Sequence, residues 1–140
     1  MKRHELARLL LQKAAQDQTA MARLLPDPDL HDEIIGFHAQ QAVEKALKAW
    51  LAYLGIDYPK VHHLETLLAL LNAQGHSLPD ALAGVTKLTP FATVFRYEEL
   101  PLAVTLDRAD ALQLVQRILV FVNQQVGGRT EGRREDEKRD

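Results

Sequence analysis

The sequence predicts an all-α fold, an antiparallel up-and-down helical bundle of about five helices. Apolar residues recur at helical spacing over most of residues 1–126, and no segment shows the strict alternation of a strand. The breaks between the periodic segments are short and contain proline or glycine. Short connections favour antiparallel neighbours, so the helices should pack as one bundle.

The first two helices have recognisable ends. Leucine and methionine at helical spacing predict a first helix over about residues 4–25, ending before Pro26. Asp29, with Asp32 three residues later, resembles an N-cap arrangement and predicts the start of the second helix. Gly55, a typical C-cap residue, marks its end.

The remaining elements follow the same signals. The stretch VHHLETLLALLNAQG predicts a third helix that stops at Gly75. Pro79 fits the first turn of a short fourth helix, which Pro90 should break. Residues 91–105 are the least regular part, and residues 107–126 predict a clear final helix.

The chain divides into a helical domain over residues 1–126 and a charged tail over residues 127–140. Its 140 residues suit one domain with a single core. The tail opens with two glycines, balances its acidic and basic residues, and has no side chain suited to a core. We therefore expect the tail to be disordered.

Composition limits the class of protein. The chain has no cysteine, which excludes disulfides and cysteine-ligated metals and fits a reducing compartment. No apolar run approaches the roughly 20 residues of a membrane span, and charges interrupt the N-terminal apolar stretch. The formal charge of −2 gives no general attraction to nucleic acid. We expect a cytoplasmic domain without membrane contact and without a cofactor.

The second helix carries two apolar stripes and one polar face. A stripe of small side chains, here called the small stripe, and a stripe of larger apolar side chains together cover more than half of the helix circumference. We therefore expect this helix to be central. The small stripe consists of Ala39, Ala42, Ala46 and Ala49. The polar face, here called the polar strip, consists of His38, Gln41, Glu44, Lys45 and Lys48, which lie three or four residues apart.

Two interpretations of the polar strip remain open from spacing alone. It can be a solvated face on which Glu44 and Lys48 form a pair that stabilises by about 0.2–0.5 kcal/mol. It can also line a groove, where Lys45 and Lys48 offer point charges to phosphate and Gln41 offers amide hydrogen bonds.

The stretch FHAQQAVEKALKAWL at residues 37–51 closely resembles the signature of the HEPN family, the helical domain named for higher eukaryotes and prokaryotes. Two later signals match in order. One is His62, two residues before a leucine at the start of the third helix, and the other is the pair Arg96-Tyr97. The resemblance spans nearly all of residues 1–126 and implies a helical bundle that is often dimeric.

The resemblance also implies a function. Such domains are frequently encoded beside, or fused to, a small nucleotidyltransferase, and they have been proposed to bind nucleotides. The nucleotide-binding positions that it implies here are Gln41, Glu44, Lys45, Lys48, His62, Arg96 and Tyr97. Gln40 also matches the signature, whereas His63 stands where the family more often has a small polar or acidic residue.

Many HEPN relatives are metal-independent ribonucleases with an arginine and a histidine separated by about four to six residues. No arginine of this chain is followed by a histidine at that spacing. The adjacent His62 and His63 diverge on a helix, so they are not expected to hold a metal. The sequence thus predicts a non-catalytic domain, with no catalytic or metal-binding residue.

The leading hypothesis is a homodimeric HEPN domain that binds a nucleotide of the ATP or GTP class, a nucleotidyltransferase partner, or both. The pair would resemble a toxin–antitoxin system, and RNA is a less favoured partner. One alternative is an RNA-cleaving toxin that uses His38 or His62 with Arg96. The other is a purely structural assembly domain.

Overall fold

The computed structural model describes residues 2–92 and 105–127, and this part of the chain is helical with no strand. The elements are α1 (Arg3–Leu24), α2 (Asp32–Leu54), α3 (Leu64–Ala73), a 3-10 segment (Asp80–Ala92) and α4 (Arg108–Gly127). The predicted all-α bundle is confirmed. Of the predicted charged tail, Gly127 ends α4, and residues 128–140 lie outside the described residues. No described helix is long and apolar enough to cross a membrane.

The chain reverses direction at each pass through the bundle. The start of α1 lies beside the end of α2, where the rings of His4 and Tyr53 stack with centroids 4.7 Å apart. Residues 55–63 then run back along α2 without helix. Because a non-helical chain covers about 3.3 Å per residue against 1.5 Å in a helix, this short segment spans a long stretch of α2.

As predicted, α2 is the central helix of the bundle. The four alanines of its small stripe are fully buried, and α2 contacts every other element. On its other side Trp50, 2% exposed, meets the ring of Phe121 on α4 with centroids 5.4 Å apart. The predicted end at Gly55 is confirmed, since this residue caps α2 with a φ of 75° that favours glycine.

The predicted N-cap of α2 is wrong. The helix begins at Asp32 after His31, whose side chain makes no capping hydrogen bond. The Asp29 amide instead donates to Asp27 Oδ1 at 2.9 Å, which closes a local turn of the kind aspartate favours. The Asp32 carboxylate forms an ion pair with Arg108 instead of a cap, and this pair fixes the start of α2.

Arg108 joins the beginning of α4 to the loop between α1 and α2. Its Nε donates to Asp32 Oδ1 at 2.8 Å, and its two terminal nitrogens donate to backbone carbonyls of the loop. These carbonyls belong to Leu25, Asp27 and Leu30. The hydrogen bond from Arg108 also holds the pKa of Asp32 below its usual range.

The predicted helix break at Pro90 is also wrong, because the 3-10 segment continues through it to Ala92. A 3-10 helix has about three residues per turn, so side chains three apart share one face. The buried residues of the segment have this spacing: Leu82, Val85, Leu88 and Phe91. Burial of that face against the bundle holds the segment together.

Candidate functional site

The polar strip does not lie on a solvated face. Glu44 is only 4% exposed, and the side chain of Lys48 is 15% exposed. The expected pair between these two residues is present, with Lys48 Nζ 3.0 Å from Glu44 Oε2. The strip follows a seam of the bundle, with α1 on one side and the returning segment 55–63 on the other. The solvated-face interpretation is therefore wrong for its central pair.

Four residues meet at this seam and are here called the Glu44 cluster: Gln40, Glu44, Lys48 and His62. Glu44 Oε1 accepts from Gln40 Nε2 at 2.9 Å and lies 3.0 Å from His62 Nδ1. The other carboxylate oxygen accepts from Lys48. A carboxylate only accepts hydrogen bonds, so the His62 nitrogen that faces it carries a proton.

The environment of Glu44 keeps it ionised. Burial on its own raises the pKa of the carboxyl group. Hydrogen bonds from Gln40, Lys48 and His62, together with the charge of Lys48, outweigh burial and hold the pKa of Glu44 below its usual range. The cluster thus contains a buried negative charge that its neighbours compensate.

Gln40 connects the Glu44 cluster to the backbone of the returning segment. Its Nε2 donates both to Glu44 Oε1 and to the carbonyl oxygen of His62, the latter at 3.0 Å. Its Oε1 accepts from Gln41 Nε2 at 2.8 Å. The fully buried amide thereby uses both of its donors and its acceptor. Both the backbone and the ring of His62 are fixed by α2.

A second group, here called the Asp17 cluster, lies at the contact between α1 and α2 and consists of Asp17, His38 and Lys45. Asp17 Oδ1 lies 3.1 Å from His38 Nδ1, and Asp17 Oδ2 accepts from Lys45 Nζ. The side chain of Asp17 is 13% exposed, and those of His38 and Lys45 are each 27% exposed.

The two clusters have the same plan, a carboxylate shared by a lysine and by the Nδ1 of a histidine. Each lysine of the strip therefore has its charge balanced by a neighbouring carboxylate. The expectation that Lys45 and Lys48 act as free point charges for phosphate is not supported by this arrangement. What remains open to solvent is chiefly the ring of His62, whose side chain is 60% exposed.

An aromatic residue that sequence analysis did not single out borders the site. Lys48 Nζ lies 5.8 Å from the centroid of the Tyr58 ring, within the range of a cation–π contact. Burial raises the pKa of the Tyr58 hydroxyl, so this group stays protonated at neutral pH. Tyr58 is therefore an uncharged neighbour of Lys48 at the border of the site.

The structure brings together most of the predicted site residues: Gln41, Glu44, Lys45, Lys48 and His62. Arg96 and Tyr97 lie outside the described residues. His63 is exposed and stands at the N-cap position of α3 without a side-chain capping bond. Among residues 2–92 and 105–127, no three potential ligand side chains come together for a metal.

Asp17 is a second residue of the site that sequence analysis did not identify. It follows Ala14 by three residues and precedes Met21 by four, so it shares the buried face of α1. A carboxylate on such a face requires a partner, and this requirement was the available signal. The identity of that partner, Lys45 on another helix, is not encoded locally.

Comparison with known families matches the chain to the HEPN domain over residues 7–125. This match covers the whole described helical region except its outermost turns and includes both clusters. Searches of curated proteins and of solved structures gave no match. On the extent of the family match, this chain belongs to the HEPN domain family.

Proposed function

We propose that this protein is a non-catalytic HEPN domain that binds a minimal nucleotidyltransferase, a nucleotide, or both, through the polar strip and His62. The observation that carries the proposal is the pair of hydrogen-bonded clusters along one seam of α2. Their polar groups are held in place, yet their outer edges at His38, Lys45 and His62 remain partly exposed. A surface fixed before binding loses little conformational entropy when a partner docks.

The charge balance of the strip favours the nucleotidyltransferase as its principal occupant. Asp17 and Glu44 offset Lys45 and Lys48, so the strip has no excess positive charge when the histidines are neutral. A free triphosphate is strongly anionic and gains most from unpaired cations. A protein surface needs only complementary hydrogen bonds and shape. We infer a toxin–antitoxin-like pair in which the partner supplies the chemistry and the HEPN domain, as a homodimer, supplies the surface.

A binding experiment tests this proposal. The gene should lie beside a nucleotidyltransferase reading frame, and the two purified products should form a complex in size-exclusion chromatography and calorimetry. Gln41→Ala and Lys45→Gln should each weaken the complex about tenfold, because both remove partly exposed polar groups of the strip. Lys87→Gln, an exposed lysine of the 3-10 segment, is the matched control. Complex formation that none of these changes affects would place the interface elsewhere.

The competing ribonuclease activity has one observation in its favour. The pairing of a buried Glu44 carboxylate with His62 Nδ1 is a way to orient an imidazole for proton transfer. A cleavage assay with labelled RNA separates the two functions, with His62→Asn as the internal control. The non-catalytic proposal predicts equal background cleavage for the wild type and the variant. Cleavage by the wild type that the substitution abolishes would instead identify an enzyme.

A further inference from the structure

We infer that His62 is the phosphate-contacting residue of this site and that it binds a phosphoryl oxygen through Nε2 as an imidazolium, while Nδ1 stays on Glu44. This inference rests on the proposed function, since it names the ligand group and the contact atom within the same site. It assigns the contact to the imidazole rather than to Lys45 or Lys48.

The orientation of the ring follows from its hydrogen bond. Nδ1 lies 3.0 Å from a carboxylate oxygen of Glu44, which is itself 4% exposed. The two ring nitrogens lie on different edges of the imidazole, and 60% of the His62 side chain is exposed. With Nδ1 directed into the protein, Nε2 is on the edge that a ligand in solution reaches.

His62 is also held more firmly than an exposed side chain ordinarily is. Gln40 donates to its backbone carbonyl and to the same Glu44 oxygen that faces its ring. Fixing the ring before binding reduces the entropy lost when a ligand docks. By contrast, the side chains of Lys45 and Lys48 are only 27% and 15% exposed, and each ammonium already has a carboxylate beside it that offsets its charge.

The protonation state decides what His62 can bind. A neutral imidazole with its proton on Nδ1 offers only an acceptor at Nε2, which repels a phosphate oxygen. The imidazolium donates from both nitrogens and can contact Glu44 and a phosphate at once. The charged groups near the ring on α2 are Glu44, which lies 3.0 Å from Nδ1, and Lys48, which is itself paired with Glu44. The uncharged Tyr58 borders Lys48, and the neighbouring His63 is exposed.

Phosphate binding should therefore take up one proton. In such a linkage, affinity falls about tenfold per pH unit once the free imidazole is neutral. Sulfate is a suitable probe beside AMP, because its charge does not change across the range from about pH 6 to about pH 8. Weaker sulfate binding at the higher pH then reflects a change in protonation of the protein rather than of the ligand.

Two variants isolate the outward nitrogen. His62→Asn places an amide nitrogen near the position of Nδ1, so it can still donate to Glu44, but it has no group at Nε2. His63→Asn makes the same chemical change at the adjacent exposed residue. His62→Asn should weaken AMP and sulfate binding at about pH 6 by at least about tenfold, whereas His63→Asn should leave it unchanged.

Nitrogen NMR of the histidine rings tests the inference directly, with His62 assigned by the signals that vanish in His62→Asn. At about pH 8 the ring should be in the Nδ1–H tautomer, because Glu44 selects it. Adding AMP or sulfate at about pH 6 should shift Nε2 much more than Nδ1.

Each other outcome overturns the inference in a distinct way. An Nε2–H tautomer for neutral His62 would show that Glu44 does not orient the ring. AMP binding that His62→Asn leaves intact would keep the proposed nucleotide site and remove His62 from it. No binding of AMP or sulfate by the wild type would overturn the inference and the nucleotide part of the proposed function, and leave the protein-partner part to its own titration.

Discussion

A buried carboxylate in the central helix is the residue on which the site depends. Glu44 occurs on a helix rich in alanine, valine and leucine and is itself buried, and such a charge is tolerated only when its hydrogen bonds are complete. Gln40, Lys48 and His62 supply them. The sequence placed Glu44 with Lys48 correctly, because their i,i+4 spacing is a local property. The hydrogen bond between Glu44 and His62, which is 18 positions away, forms only because residues 55–63 run back along α2.

Replacing Glu44 tests how much the cluster stabilises the fold. Glu44→Gln keeps the shape but leaves Lys48 without its counter-charge in a largely buried position. We expect the free energy of unfolding to fall by about 2–3 kcal/mol, measured by urea denaturation. Asp57→Asn, an exposed acidic residue of the returning segment, should change it by less than about 0.5 kcal/mol. Equal small effects would mean that the Glu44 charge is dispensable.

The pH dependence of stability gives a second test at the residue scale. The pKa of Glu44 is lower in the folded protein than in the unfolded chain. Its contribution is therefore complete above the unfolded pKa and is lost as the pH falls through the folded pKa. The stability difference between wild type and Glu44→Gln should shrink as the pH is lowered from about 7 to about 3. A difference that stays constant or grows on acidification would contradict the lowered pKa.

At the scale of elements, two contacts set the position of α2 against its neighbours. The 3-10 segment packs through Phe91 onto Gly36, and α4 is joined through Arg108 to Asp32. The helices themselves could be predicted from apolar spacing and from Gly55. The 3-10 segment could not, because Pro90 normally ends an α-helix, and the spacing of three among Leu82, Val85, Leu88 and Phe91 only acquires meaning once that face is buried.

Gly36→Ala tests the contact of the 3-10 segment with α2. An added Cβ would lie 2.4 Å from Cδ1 of the buried Phe91 ring, so one of the two elements must shift. We expect a loss of about 1–3 kcal/mol in thermal or urea unfolding. Gly84→Ala is the control, because nothing lies within 4 Å of its added Cβ. If both variants were equally stable, the close approach of Phe91 would be incorrect.

Arg108→Lys tests the connection of α4 to the start of α2. A lysine keeps the charge but does not reproduce the planar group that bonds Asp32 and three loop carbonyls together. We expect a loss of about 1–2 kcal/mol in unfolding free energy, because several charge-assisted hydrogen bonds cannot all be replaced. The same change at Arg117, which is exposed on α4, should have an effect below about 0.5 kcal/mol. Equal effects at the two positions would contradict the role of the Arg108 hydrogen bonds in joining α4 to the start of α2.

At the scale of the whole molecule, α2 contributes side chains to both clusters and so connects them. The apolar stripes of α2 predicted its central position. Spacing alone did not decide whether its polar strip is a solvated face or lines a groove, and the family resemblance favoured a binding site. The Asp17 cluster was beyond such reasoning, because its carboxylate comes from α1 and lies 28 positions from Lys45. Contacts of that range are set by how helices pack, and no local pattern specifies them.

The seam of α2 that holds both clusters is, in our proposal, a binding surface. Calorimetric titration of the protein with the proposed nucleotidyltransferase partner tests this, for the wild type, Lys45→Gln and Lys87→Gln. We predict a Kd of about 1 μM or tighter for the wild type and for Lys87→Gln, and binding about tenfold weaker for Lys45→Gln. The same affinity for all three proteins, or no heat with the nucleotidyltransferase, ATP or GTP, would contradict the claim.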